Sequence, residues 1–252
     1  MAMRTIISLL FGVNTLVSGQ SNPSPYPDWR RLDAKQRLQA LTLTPPAYRN
    51  EALTLLIGEA NRVAHELSLQ EKLPIIEPNV ISAYISPVPM AEGLKGIGNI
   101  TTSNYTYYVS IGNKFSGLVL NGLQESYLKL QAEYLLPIAQ MDTNAAFQLA
   151  KQKLAAVSID VDALNRDCQL SIRAWTPEGP TGKHFVPVYW VSWGSNGSPV
   201  ASIELFEPTK AIRQLHINIS NYILRKPLQI SNAAFLLSQT NSLTLTNAIK
   251  AK

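Results

Sequence analysis

Histidine is the side chain best suited to metal binding or acid–base chemistry near neutral pH, and the chain has three, His65, His184 and His216. None of them has a second ligand at the spacing of a metal site. Leu69 follows His65 by four residues, where a zinc-binding helix carries its second histidine. The sequence therefore predicts no metal site and no cofactor, and it assigns the histidines to the surface or to packing.

Two other spacings suggest chemistry, but each lacks a required residue. Asp160 and Asp162 begin a calcium-loop pattern whose twelfth position should be glutamate and is Ser171. Ser126 and Lys129 have the serine–lysine spacing of penicillin-recognising enzymes, but no Lys-Thr-Gly segment follows them. We expect the aspartates to cap helices, and Ser126 and Lys129 to lie on a helix surface.

A catalytic pair that meets only in the folded chain is a separate hypothesis. His184 or His216 would then lie beside Asp142 or Asp160, and the protein would be an exported hydrolase. This alternative predicts two titratable side chains within hydrogen-bond reach of each other in one cleft.

The sequence feature that most favours binding is an aromatic strand near residues 185–193. Its alternation places two apolar sets on opposite faces, Phe185, Tyr189 and Trp193 on one and Val186, Val188 and Trp190 on the other. A strand that is apolar on both faces is typical of the covered centre of a sheet. If one face is open, its aromatic rings can hold a sugar, a peptide or a partner protein. We take Phe185, Tyr189 and Trp193 as the candidate ligand-binding residues.

Composition limits the classes of protein to which the chain can belong. Its 252 residues are 46% hydrophobic, which suffices for one large domain or two small ones. The net charge of +5 is mild and the basic residues are scattered, so no nucleic-acid partner is expected. The single cysteine, Cys168, cannot form an internal disulfide and is interpreted as a small buried hydrophobe that opens a strand.

The N-terminus is typical of a secretory signal peptide. Arg4 precedes an apolar run that closes on the small residues Val17-Ser-Gly19. The run is too short and interrupted for a membrane span. We predict export to the periplasm or medium with cleavage near Gly19, followed by a proline-rich linker at residues 20–27.

Residues 28–140 are predicted to form a first unit. Helical spacing of apolar residues indicates helices near 28–43, with Asp28 as N-cap, and from about Ala47 to Leu69. The alternation then changes to that of strands, which we predict at 79–86, 105–111 and 115–120, with the hairpin turn Gly112-Asn113 between the last two. A bridging helix is expected near 124–134.

Residues 141–226 are predicted to form a second unit. Asp142 or Thr143 caps a helix from about Ala145 to Val157, and a short helix follows at 161–165. Four strands then form an antiparallel meander at 170–175, 185–193, 200–206 and 212–219. Residues 227–252 are assigned to a C-terminal tail that contains at most a short helix.

Both units share one order of elements, a helix followed by antiparallel strands. This order favours an α+β fold in which helices pack on antiparallel sheets, arranged as two degenerate helix-plus-meander units. Whether the two units are independent domains, and how many copies of the chain associate, is left open by the sequence.

The segment Val186-Pro-Val-Tyr-Trp190, followed by the segment from Pro199 to Lys210, resembles a pattern in uncharacterised exported bacterial proteins. Over about residues 140–220 the helix-plus-meander order also resembles PepSY-like and cystatin-like domains. That resemblance implies binding or inhibition rather than catalysis. The expectation is an exported, non-catalytic protein that recognises a peptide, a protein or a glycan through a sheet surface.

Overall fold

The structure is a computed structural model, and it describes residues 46–86, 96–122, 141–175, 188–206 and 211–231. Several sequence predictions lie outside these residues: the signal peptide and linker, the helices near 28–43 and 124–134, the Ser126–Lys129 pair, and the tail beyond residue 231.

Three α-helices are described, α1 at Pro46–Leu67, α2 at Thr143–Ala156 and α3 at Val161–Asp167. Helix α1 begins one residue before its predicted start, because proline suits the first helical position, where its missing N–H has no partner to lose. Asp142 caps α2 as predicted, since its carboxylate accepts a hydrogen bond from the Ala145 amide at 2.7 Å.

Eight strands are described, one more than the sequence predicts. They are β1 Ser82–Ile85, β2 Gly98–Thr101, β3 Tyr105–Ser110, β4 Lys114–Leu120, β5 Gln169–Trp175, β6 Val188–Ser195, β7 Ser198–Phe206 and β8 Ala211–Ile217. The additional strand is β2, so the first half contains four strands rather than three. Strand β1 is also shorter than predicted, because Glu77–Asn79 forms a 3-10 turn.

All eight strands form one antiparallel sheet in the order β1-β2-β3-β4-β8-β7-β6-β5. Each half is a four-stranded meander preceded by a helix, and the last strands of the two halves pair with each other. The predicted α+β class, with helices packed on an antiparallel sheet, is confirmed. We call the β4–β8 pairing the seam.

The two halves are related by an approximate two-fold axis at the seam. Strands β4 and β8 both have seven residues, and each carries one extra, bulged residue at its third position, Ser116 and Arg213 respectively. When the two strands are aligned on their bulges, Leu118 is equivalent to Leu215, and these two residues face each other across the seam. Equivalent residues meet in this way only at a two-fold axis.

The C-terminal ends of α1 and α2 are also equivalent in the two halves. Ser68 follows α1 and Ser158 follows the end of α2, both with positive φ, at 52° and 64°. In each case the next residue donates its amide to a carbonyl five residues earlier, Leu69 to Ala64 at 2.9 Å and Ile159 to Leu154 at 3.0 Å. Both helices therefore end in a Schellman-type turn closed by a serine in the left-handed region.

The sheet separates an apolar face from a polar face. One row of residues crosses all eight strands on the helix side and contains only apolar or tyrosine side chains, namely Ala83, Ile100, Tyr107, Leu118, Leu215, Ile203, Val191 and Ile172. Six of the eight are buried in one continuous core with the helices. None of the three described helices packs on the opposite side, which we call the helix-free face. Its side chains alternate with this row and include most of the polar side chains of the sheet.

Residues 218–231, which we call the C-terminal strap, cross both halves after β8. Ile223 bridges Ile159 in the second half, and the Leu228 amide donates to the Asn113 carbonyl in the first half at 2.8 Å. Ser231 then donates its hydroxyl to Glu51 of α1 at 2.6 Å. The strap therefore joins the two helix-plus-meander halves in addition to the seam.

Candidate functional site

Two of the three predicted ligand-binding residues lie in the core. Tyr189 and Trp193 are 3% and 0% exposed, on the helix side of β6. The Trp193 indole stacks at a tilt on Phe147 of α2, with ring centroids 6.1 Å apart, and donates a hydrogen bond to Asn165 at 2.8 Å. Because helix α2 covers them, Tyr189 and Trp193 cannot form the exposed surface that the sequence analysis assigned to them. Phe185 lies outside the described residues.

The exposed aromatic residue of this strand is instead Trp190, which is 45% exposed on the helix-free face. The alternation of β6 correctly separates Trp190 from Tyr189 and Trp193, but it does not say which face is covered. Ser192 lies on the same face of the strand as Trp190, and a polar residue on a face indicates that this face is exposed to solvent.

Among the described residues, the structure does not bring His216 together with Asp142 or Asp160, the two aspartates of the hydrolase alternative. Asp142 and Asp160 are helix N-caps, and the Asp160 carboxylate accepts from the Ala163 amide at 2.9 Å. His216 lies across the sheet on the helix-free face, opposite Ser202 and Gly117. His184 is outside the described residues. Among the residues that are described, no cluster of three His, Cys, Asp or Glu side chains is placed to hold a metal ion.

Cys168 has a structural position at the end of α3 rather than inside β5. Its thiol is half-buried, and Sγ lies 3.8 Å from the hydroxyl of Tyr222 in the C-terminal strap. The prediction that Cys168 opens the strand is wrong by one residue, because it instead caps the preceding helix.

A hollow of about 830 Å³ lies on the helix-free face, over strands β5, β6 and β7. Cross-strand register builds it, because Trp190 has Arg173 directly beside it on β5 and Glu204 directly beside it on β7. Ser171 and Ser192 form the next row of its floor. The hollow thus combines an aromatic platform, a cation, a carboxylate and small hydroxyl groups, a combination typical of binding sites.

The two charged residues that line the hollow, Arg173 and Glu204, differ in whether they have an ion-pair partner. Glu204 is paired with Arg213, whose Nη1 lies 2.9 Å from Glu204 Oε1, and both side chains are largely buried. Burial raises the pKa of Glu204, and the positive charge of Arg213 opposes that rise. Arg173 is exposed and has no carboxylate within ion-pair distance among the residues the structure covers. The cation that a ligand would meet is therefore Arg173.

Two other hollows have fewer features of a binding site. One of about 740 Å³ lies beside the turn between α2 and α3 and is lined mainly by charged and amide side chains, including Lys151 and Asp162. Another of about 220 Å³ lies under the C-terminal strap beside the ion pairs of Arg62 with Glu59 and Glu66. Neither is lined by an exposed aromatic ring, and in the second the carboxylates of Glu59 and Glu66 are already paired with Arg62 and Arg225.

Comparison with known proteins adds no family assignment. No protein-family model matches the chain, and neither the curated proteins nor the solved structures contain a match. The described helices include none with the length and apolarity needed to cross a bilayer.

Proposed function

We propose that this chain is an exported, non-catalytic binding protein that recognises a peptide, a protein or a glycan on the helix-free face of its sheet. The observation that carries the proposal is Trp190, a large aromatic side chain that is 45% exposed in a hollow, between Arg173 and Glu204. Tryptophan and arginine are the residues that most often dominate binding energy at interfaces.

The remaining polar side chains support binding rather than turnover. The two aspartates considered for catalysis serve as helix caps, and the Glu204 carboxylate in the hollow is paired with Arg213. A carboxylate engaged in this way contributes fixed charge and orientation to a ligand.

The decisive experiment is a binding screen of the purified protein against cell-wall glycans and a peptide array, repeated with the variant Trp190→Ala. Loss of a hot-spot tryptophan should weaken the selected ligand by about thirtyfold in Kd, equivalent to ~2 kcal/mol. Tyr108→Ala is the matched control, because Tyr108 is 37% exposed on the same face in the other half. Equal binding by Trp190→Ala and the unaltered protein, or turnover on a generic substrate panel, would reject the proposal.

Export is tested separately from binding. The mature protein recovered from outside the cytoplasm of an expressing bacterium should lack the first nineteen residues, and its N-terminal sequence should begin near Gln20. Replacing Leu9 and Leu10 by arginine should keep the uncleaved chain inside the cell, since a charge interrupts the apolar run. An intact N-terminus on protein found outside the cell would contradict the signal-peptide assignment.

A further inference from the structure

We infer that the partner is an extended polypeptide segment, which adds to the sheet as a ninth strand along β5, at the side of the hollow, and presents an acidic side chain to Arg173. This inference rests on the proposed function and names the class of its partner. It follows from three properties of β5: a backbone edge and an Arg173 charge that have no partner among the described residues, and the different character of its two faces.

Strand β5 is an open edge. It has seven residues and pairs along one side with β6, and within the described ranges no strand lies along its other side. Alternate backbone amides and carbonyls on that outer side have no strand partner among the described residues, and an edge of this kind can accept another strand. The strand contains no proline and no bulge, and Arg173 is its only charged residue, so it lacks the devices by which proteins usually block edge pairing.

The opposite edge of the sheet is shorter. Strand β1 has only four residues, and its Tyr84 makes further interactions within the protein. A short edge offers few backbone groups to a partner, which is a common way to prevent strand addition. Strand addition is therefore expected at β5 and not at β1.

The side chains of β5 specify what an added strand should carry. On the helix side, Leu170 is 39% exposed and Ile172 is half-buried, so apolar side chains of the partner would cover them. On the helix-free side the strand presents Gln169, Ser171 and Arg173 to the hollow. A partner strand that alternates apolar and polar residues, with a carboxylate in the polar phase, complements both faces.

The other classes of occupant use fewer of these features. A glycan would stack on Trp190 and leave the backbone edge of β5 unpaired. A second copy of this chain would pair β5 with itself and bring no carboxylate to Arg173, since β5 has no acidic residue. The acidic extended peptide is the only one of the three that satisfies the edge, the apolar side chains and the cation together.

The test uses the purified protein and a blocked, fluorescent nonapeptide of alternating threonine and valine with glutamate in the central, threonine-phase position. Two analogues are N-methylated, each on one of the two alternating sets of backbone nitrogens, because the methyl group removes the donors of one edge without changing the side chains. We expect one of these analogues to bind at least tenfold more weakly than the parent peptide. We expect the analogue with central lysine to bind at least tenfold more weakly as well.

Charge reversal in the protein makes the test specific. The variant Arg173→Glu should prefer the lysine peptide to the glutamate peptide, which reverses the order found for the unaltered protein. Arg166→Glu is the control, since Arg166 lies on α3 with its side chain 69% exposed, and it should keep the original preference.

Each outcome decides the inference. Equal binding of both N-methylated analogues and the parent, or an unchanged charge preference in Arg173→Glu, overturns it. So does concentration-dependent dimerisation that the peptide cannot disrupt, because a second copy would then occupy the edge. If glycans bind in a Trp190-dependent way while no strand peptide binds, the proposed function stands and this inference fails. If neither binds, both fail.

Discussion

The two halves of the sheet have the same architecture, but the polar side chains on their helix-free faces differ in their hydrogen bonding. In the first half the surface hydroxyls bond to one another, since Thr101 and Thr106 lie 3.1 Å apart and Thr106 also donates to Asn121 at 2.8 Å. In the second half Arg173 and the Trp190 indole have no hydrogen-bond partner among the described residues. A surface that satisfies its own polar groups has little to offer a ligand, so we expect recognition to be confined to the second half.

The largest expected difference between the halves concerns their two bulges. Arg213→Met should lower the free energy of unfolding by about 3–5 kcal/mol, because it leaves the Glu204 carboxylate buried without its cation. Ser116→Ala changes the equivalent residue of β4, whose hydroxyl bonds to the Ser110 hydroxyl and the Tyr108 carbonyl, and should cost about 1 kcal/mol. Urea unfolding measures both values, and equal losses would show that the two bulges are energetically alike.

Substitution at the seam should cause the next largest loss of stability. A Cβ added at Gly117 would lie 2.4 Å from the Leu215 carbonyl oxygen of the other half, so Gly117→Ala should destabilise the protein by about 1–3 kcal/mol. Gly58→Ala is the control of opposite sign, because a Cβ at this exposed position within α1 meets no atom within 4 Å. Gly58→Ala should stabilise by about 0.5–1 kcal/mol. The same sign for both substitutions would contradict the close contact at the seam.

The buried carboxylate of the second half should make stability depend on pH. Burial raises the folded pKa of Glu204 above its unfolded value of about 4.3, so the folded state keeps a proton that the unfolded state has lost. The unaltered protein should therefore lose stability relative to Glu204→Gln as the pH rises through the interval between these two pKa values. Parallel stability curves, measured by urea unfolding from acid to neutral pH, would rule out this linkage.

The smallest expected effects are at the two matching helix ends. Ser68→Gly should stabilise by about 0.5 kcal/mol, since glycine accepts a positive φ without strain. Ser158→Gly should gain less, because the Ser158 hydroxyl also accepts a hydrogen bond from Arg225 of the C-terminal strap at 3.2 Å. Differential scanning calorimetry of the two variants measures the contribution of that strap contact, and identical shifts in Tm would show that it contributes nothing.

Hydrophobic spacing and turn residues predicted most helices and strands of the fold, because interactions between residues close in sequence determine these elements. Gly112 and Asn113 both have positive φ and lie in the turn between β3 and β4, where the sequence predicts a hairpin turn. Strand β2 was not predicted because the segment Gly98-Asn-Ile-Thr101 is too short to show an alternation of apolar and polar residues. The seam could not be predicted, since it joins residues far apart in the sequence.

The candidate site was half predictable for a related reason. Periodicity identified the aromatic strand and divided its residues into two faces, but both faces carry tryptophan, so hydrophobicity alone could not say which faced the helices. The polar residues of the neighbouring strand, Ser202 and Glu204, lie beside Ser192 and Trp190 and mark the open face. The evidence from β7 becomes available only once the pairing of β6 with β7 is known, whereas Ser192 indicates the open face from the sequence of β6 itself.

The pairing of Leu118 with Leu215 has a consequence for biosynthesis. Strand β4 emerges from the ribosome long before β8, so the inner edge of the first meander stays without its partner until nearly the whole polypeptide has been made. Contacts between such distant positions form slowly, and an unpaired edge in the meantime invites association with other chains. A chain of this topology benefits from being kept unfolded until synthesis ends, which is also the condition that passage through a secretion channel imposes.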